Sequence, residues 1–177
     1  MRLRIISLAS VAAVLAVVLG MAKVAVARPQ LHDYLSDDEA DKIRDAATPS
    51  DRIRLYMLFA EDRLAKFDYE LNRTAPERNR SEILNGLLNG YEGCMDDASD
   101  EIDDATRTQA DVKAVLKLMD EKTKSFLARL QKYSKNGRYL SDYSDTLQDA
   151  IDSTTDAISE VADAQKTMLP AVVRRKQ

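Results

Sequence analysis

Two consecutive runs carry apolar residues at alternating intervals of four and three. The first holds Leu84, Leu88, Tyr91, Met95, Ala98, Ile102 and Ala105, and the second Val112, Leu116, Met119, Thr123, Phe126, Leu130 and Tyr133. That rhythm puts each set on one side of an α-helix, because three and four residues bracket one helical turn. A chain written this way must bury each seam against another helix. Two further runs follow the rule. Ile53, Tyr56, Ala60, Leu64, Phe67 and Leu71 form the earlier one. Leu140, Tyr143, Leu147, Ile151, Thr154, Ile158, Val161, Gln165 and Met168 form the last, which ends before Pro170. Nowhere does strand alternation combine with turn signals, so no sheet is expected.

Start and stop signals divide the runs. Ser36-Asp37-Asp38-Glu39 is a capping box opening a short helix to about Ala47. Thr48-Pro49-Ser50-Asp51 opens a second helix reaching about Arg73, and Thr74-Ala75-Pro76-Glu77 breaks it and starts a third. Asn136-Gly137 closes the fourth. The third and fourth seams share one phase through Ala105, Gln109 and Val112, so a single helix of roughly 80 Å would keep register at 1.5 Å per residue. A break is expected instead, because continuity would put Gln109 in the core and Thr108 with Asp111 can cap a new start. The expected fold is all-α: an up-down bundle of four longer helices plus a short N-terminal one. The extended alternative is a helical hairpin or coiled-coil rod.

The amino terminus has a separate purpose. A basic Met1-Arg2-Leu3-Arg4 precedes an uncharged stretch from Ile5 to Ala22, which ends at Ala25-Val26-Ala27. This is the layout of an export signal with cleavage after Ala27. The predicted organisation is a signal peptide over 1–27, an extended lead-in over 28–35, a helical domain over 36–169 and a flexible basic tail over 170–177. Retained, the apolar segment is at the border of spanning length and would serve as an N-terminal membrane anchor. Removing it takes the formal charge from −4 to −7, since it contains Arg2, Arg4 and Lys23 and no acid. An acidic domain is a poor binder of nucleic acid, whose phosphates need Lys and Arg. Localisation is expected in the bacterial periplasm or outside the cell.

Segment 34–44, Tyr-Leu-Ser-Asp-Asp-Glu-Ala-Asp-Lys-Ile-Arg, is followed by Arg52-Ile53-Arg54-Leu55-Tyr56 and Phe59-Ala60-Glu61-Asp62-Arg63-Leu64. Together they resemble a group of uncharacterised secreted bacterial helical proteins, over about a third of the chain. The resemblance implies export and helicity, and brings no activity with it.

Reactive chemistry is sparse. His32 is the only histidine and Cys94 the only cysteine. A di-iron bundle needs Glu-x-x-His pairs, zinc needs several Cys and His, and covalent haem needs Cys-x-x-Cys-His; none is present. No Gly-x-Ser-x-Gly, P-loop or dinucleotide fingerprint occurs. No catalytic residue, cofactor or metal is therefore assigned, His32 is expected to be exposed and inert, and Cys94 to be buried. Two features remain. Gly86, Gly90 and Gly93 share one face of the third helix, away from its seam. They read either as room for the short first helix or local fraying, or as a close-packing face for a partner chain or ligand. Asp96, Asp100 and Asp103 share one acidic face; Asp97, Glu101 and Asp104 share the next. These read as a solvated surface, or as an electrostatic patch for a cationic partner. Tyr133, Tyr139 and Tyr143 flank the Asn136-Gly137 turn and are expected to plug one end of the bundle. The function these features favour is a non-catalytic envelope scaffold or protein-interaction module, binding a protein partner or itself. The alternative is a bundle that binds a small ligand or divalent cation.

Overall fold

Helix α1 (Asp37–Asp45) starts at the expected capping box: the Ser36 hydroxyl accepts from the Glu39 amide, and the Glu39 carboxylate accepts from the Ser36 amide at 2.9 Å. It ends two residues short of the expected Ala47. Helix α2 (Pro49–Asn72) has Thr48 as its cap, whose Oγ1 accepts from the Asp51 amide at 3.1 Å, and Pro49 in its first turn. Helices α3 (Arg80–Thr108), α4 (Lys113–Asn136) and α5 (Ser144–Thr167) complete the bundle, with a 3₁₀ turn at Leu140–Asp142. This computed structural model describes residues 34–75 and 78–168. The chain divides into Met1–Gln30 and Leu31–Gln177, and every described residue lies in the second unit. The predicted signal over 1–27, His32 and the tail over 170–177 lie outside the described residues. Among those that are described, no helix is long and apolar enough to cross a membrane.

The bundle is all-α, with four long helices alternating in direction and the short one at the amino end. Helix α2 packs on α3, α3 on α5, α5 on α4, and α2 against α4 closes the ring most thinly. The consecutive helices α3 and α4 therefore sit on a diagonal. Cross-links fix the directions. Ser50 donates to the Asp111 carbonyl at one end of α2 and α4, Lys122 pairs with Glu61 at 2.5 Å midway, and Arg129 pairs with Asp68 further on. That order makes α2 and α4 parallel. Thr146 donates to the Asn85 side-chain oxygen at 2.5 Å, and further along both helices the hydroxyls of Tyr91 and Thr154 meet at 2.6 Å, the same relation for α3 and α5.

The expected break between the third and fourth seams is present, but its chemistry differs from expectation. Gln109 takes a left-handed conformation at φ 54°, and the Ala110 amide bonds back to the Ala105 carbonyl at 2.9 Å. This is a Schellman ending with Gln where Gly is usual. Left-handed backbone at a side-chain-bearing residue costs about 1–2 kcal/mol. Burial of Val112 and partial burial of Ala110 beyond the turn offset it. Thr108 does not cap the next helix: its hydroxyl donates to the Asp104 carbonyl at 2.8 Å, and Val112 stands at the N-cap without a side-chain bond. Helix α3 likewise begins at Arg80, later than the Thr74-Ala75-Pro76-Glu77 signal suggests, with Asn79 as its cap.

The seams of α2, α3 and α4 are buried as expected. That of α5 is rotated. Leu147, Ala150, Thr154, Ala157, Val161, Ala164 and Met168 face the core, while Ile151 and Ile158 are half-buried and Gln165 is exposed. At the turn end, Tyr133 and Tyr143 are buried against Phe67, with ring centroids at 5.0 and 5.1 Å, so two of the three tyrosines plug the bundle. Tyr139 stays outside, in a left-handed backbone at φ 57°, with the buried Arg80 guanidinium 4.5 Å from its ring centre. Gly137 is required by space: a Cβ there would lie 2.2 Å from the Tyr143 hydroxyl and 2.4 Å from the Tyr133 carbonyl.

Candidate functional site

Helix α3 carries both features singled out in the sequence, and the bundle gives each a different neighbour. The glycine stripe divides. Gly86 is exposed with nothing within 4 Å of a would-be Cβ. Gly90 lies under the Arg63 side chain, whose Nε would be 3.3 Å from a Cβ. Gly93 lies under the ring of Tyr34, where a Cβ would be 2.4 Å from a ring carbon. Gly93 thus accommodates the chain's own amino-terminal segment, and Gly90 accommodates Arg63 of α2.

That segment is held by a compact polar clasp. The Tyr34 hydroxyl donates to the Gly93 carbonyl at 2.8 Å and also bonds Asp97. Arg63, 9% exposed, grips both carboxylate oxygens of Glu39 at 2.9 and 2.7 Å and donates to the Tyr34 carbonyl at 3.2 Å. A forked guanidinium–carboxylate pair of this kind is the strong form of an ion pair. Burial raises the Glu39 carboxyl, but its bonds to Arg63 and Ser36 prevail and hold it down at about 2. Cys94 follows Gly93 and is fully buried; burial pushes its thiol up to about 12. A thiol in that state is a poor nucleophile.

The two acidic faces look into two grooves. On the α2 side, Asp97 bonds Tyr34 and Glu101 pairs with Arg52 at 2.6 Å, so this face is largely tied to the bundle. Asp104 pairs with Arg107 on its own helix, and Asp103 is exposed beside it. On the α5 side the face is left unneutralised. Glu92, Asp96 and Asp100 of α3 line a groove with Asp149, Asp152, Asp156 and Glu160 of α5, and no Lys or Arg lines it. The groove encloses about 410 Å³. Ser153 donates to Asp96 and Gln148 to Asp152, which orients these two carboxylates without changing their charge. One Glu160 oxygen is buried with no bonding partner among the described residues. Burial, then Asp96 and Asp149, hold the Glu92 carboxyl above its usual range.

Asp96 and Asp100 of the predicted patch thus belong to this groove, and Asp97, Glu101, Asp103 and Asp104 lie along the other side. The α5 contribution was missed in the sequence, although Asp149, Asp152, Asp156 and Glu160 recur at intervals of three and four. Only parallel packing of α3 on α5 brings the rows together. Among the described residues, no three His, Cys, Asp or Glu side chains are placed to hold one metal ion. The carboxylates are strung along the groove and make an extended negative field.

No family model, no curated protein and no solved structure matches the chain.

Proposed function

We propose that this protein is a non-catalytic, exported helical interaction module that engages a positively charged protein segment along the α3–α5 groove. The observation that carries the reading is the groove's lining: seven carboxylates and no cation. Like charges held together destabilise a fold. Evenly spaced carboxylates suit a ligand with several Lys or Arg side chains, each replacing lost solvation by a charge-assisted bond. The inert state of Cys94 supports the non-catalytic part of the reading. The signal layout at 1–27 supports export, and Arg28 is the expected N-terminus of protein recovered from its native compartment.

Titration calorimetry with an oligolysine peptide tests the binding reading. Binding should weaken steeply between low and physiological salt, because screening acts on exposed charges. It should also be lost on combining Asp152→Asn with Asp156→Asn. Equal affinity in that variant would remove the groove from the function.

A further inference from the structure

The clasp around Tyr34 has a mechanical consequence. Helix α1 adds little to the core that α2, α3, α5 and α4 close around: Ala40 and Ile43 are its buried residues, and Tyr34 and Leu35 before it pack partly buried against that core. Helix α1 packs on α2 over a short stretch. What else ties it down is polar: the Arg63–Glu39 fork, the Tyr34 hydroxyl on Gly93 and Asp97, and Arg52 donating to the Ala46 carbonyl at 3.3 Å. A segment with little apolar burial and a few discrete bonds opens below the free energy of global unfolding. Gly93 gives the segment its seat, since a side chain at 93 would meet the Tyr34 ring, and Gly90 leaves room for the Arg63 side chain that grips Glu39. We propose that residues 34–47 form a latch that opens and closes as a unit on an intact four-helix bundle, covering α3 at Gly93 when closed. Opening would bare Gly93 and Asp97 and give access to Cys94, the residue next to Gly93. The charges bearing on that thiol are those of the clasp and its neighbour: Arg63, Glu39, Asp97 and Asp62. This reading concerns the α2–α3 side of the bundle and is independent of the acidic groove.

Cys94 is therefore a built-in reporter. Its labelling by an aromatic disulfide reagent is measured in the full domain against urea concentration, beside hydrogen exchange of the α1 amides. A latch gives labelling and α1 exchange with a shallow urea dependence, while the α3 and α4 amides keep the steep dependence of global unfolding. Tyr34→Phe removes the hydroxyl bonds and keeps the ring. It should speed labelling about ten- to hundredfold, the equivalent of losing one hydrogen bond to a charged group. Gly93→Ala separates the latch from bundle stability. Its methyl group displaces the Tyr34 ring, so labelling rises, while Ala favours the α3 helix and the urea midpoint stays level or rises. The proposal is overturned if wild-type labelling and α1 exchange follow the global urea dependence. It is equally overturned if both substitutions leave labelling unchanged, or if they lower the midpoint in step with any gain in labelling.

Discussion

Glu39 shows how much one side chain can carry. Its carboxylate caps α1 through Ser36 and holds α1 to the bundle through Arg63. A carboxyl whose folded pKa is depressed contributes stability above its unfolded value and loses it as pH falls through the folded value. For Glu39 that window runs from 4.5 down to about 2. The Tyr34 ring resonances, followed by NMR, should therefore keep their docked shifts from neutral pH to about 5 and move only below 4.5. In Glu39→Gln the acid step should vanish, with the ring partly undocked at every pH. Ring shifts unchanged to pH 2 in the wild type would show that the fork does not hold the segment. The sequence exposed half of this arrangement. The capping box was legible because its residues are three apart. The ion pair was not, because Arg63 and Glu39 lie 24 positions apart and an arginine amid a helical seam reads as surface.

At the scale of elements, the seams of large residues were read correctly and the seam of small ones was not. Leu, Met, Phe and Tyr mark α3 and α4 without competition. In α5 two phases compete: Leu147, Ile151, Thr154, Ile158 against Leu147, Ala150, Thr154, Ala157. Hydropathy favours the isoleucines, but the chain buries Ala150, Ala157 and Ala164 and leaves Ile151 and Ile158 half-covered. Small side chains on the inward face allow close helix approach, a constraint that belongs to the pair of helices and is invisible in one. The two phases make opposite forecasts. With Ala157 fully buried, Ala157→Leu should overpack the core and cost roughly 1–3 kcal/mol in urea unfolding. Ile158→Ala, at a half-buried position, should fall below the roughly 2–5 kcal/mol typical of a core isoleucine. The reverse order would mean that α5 is turned to its other face. The diagonal placement of α3 and α4 was equally hidden, because the order of helices around the ring is set by which seams fit.

For the whole molecule, the acidic groove and the clasp set opposite demands on pH and salt. Glu92 has a raised folded pKa, so its contribution to stability is lost as pH rises through that value, and at neutral pH its charge adds to the repulsion across α3 and α5. Lowering pH from neutral toward the carboxylate range should relieve that repulsion. It leaves the clasp intact until Glu39 titrates, in the window below 4.5. The thermal midpoint should therefore rise on mild acidification and fall again in strong acid. Salt should mimic the rise at neutral pH by screening the groove. Each like-charged pair one turn apart costs about 0.2–0.5 kcal/mol, so Asp152→Asn with Asp156→Asn should raise the midpoint at low salt and blunt its response to both salt and mild acid. The clasp is untouched in that variant, so the strong-acid fall should remain. A midpoint insensitive to salt at neutral pH, in wild type and variant alike, would show that the groove stores no repulsion. The proposed cationic partner would then have no electrostatic gain to collect there.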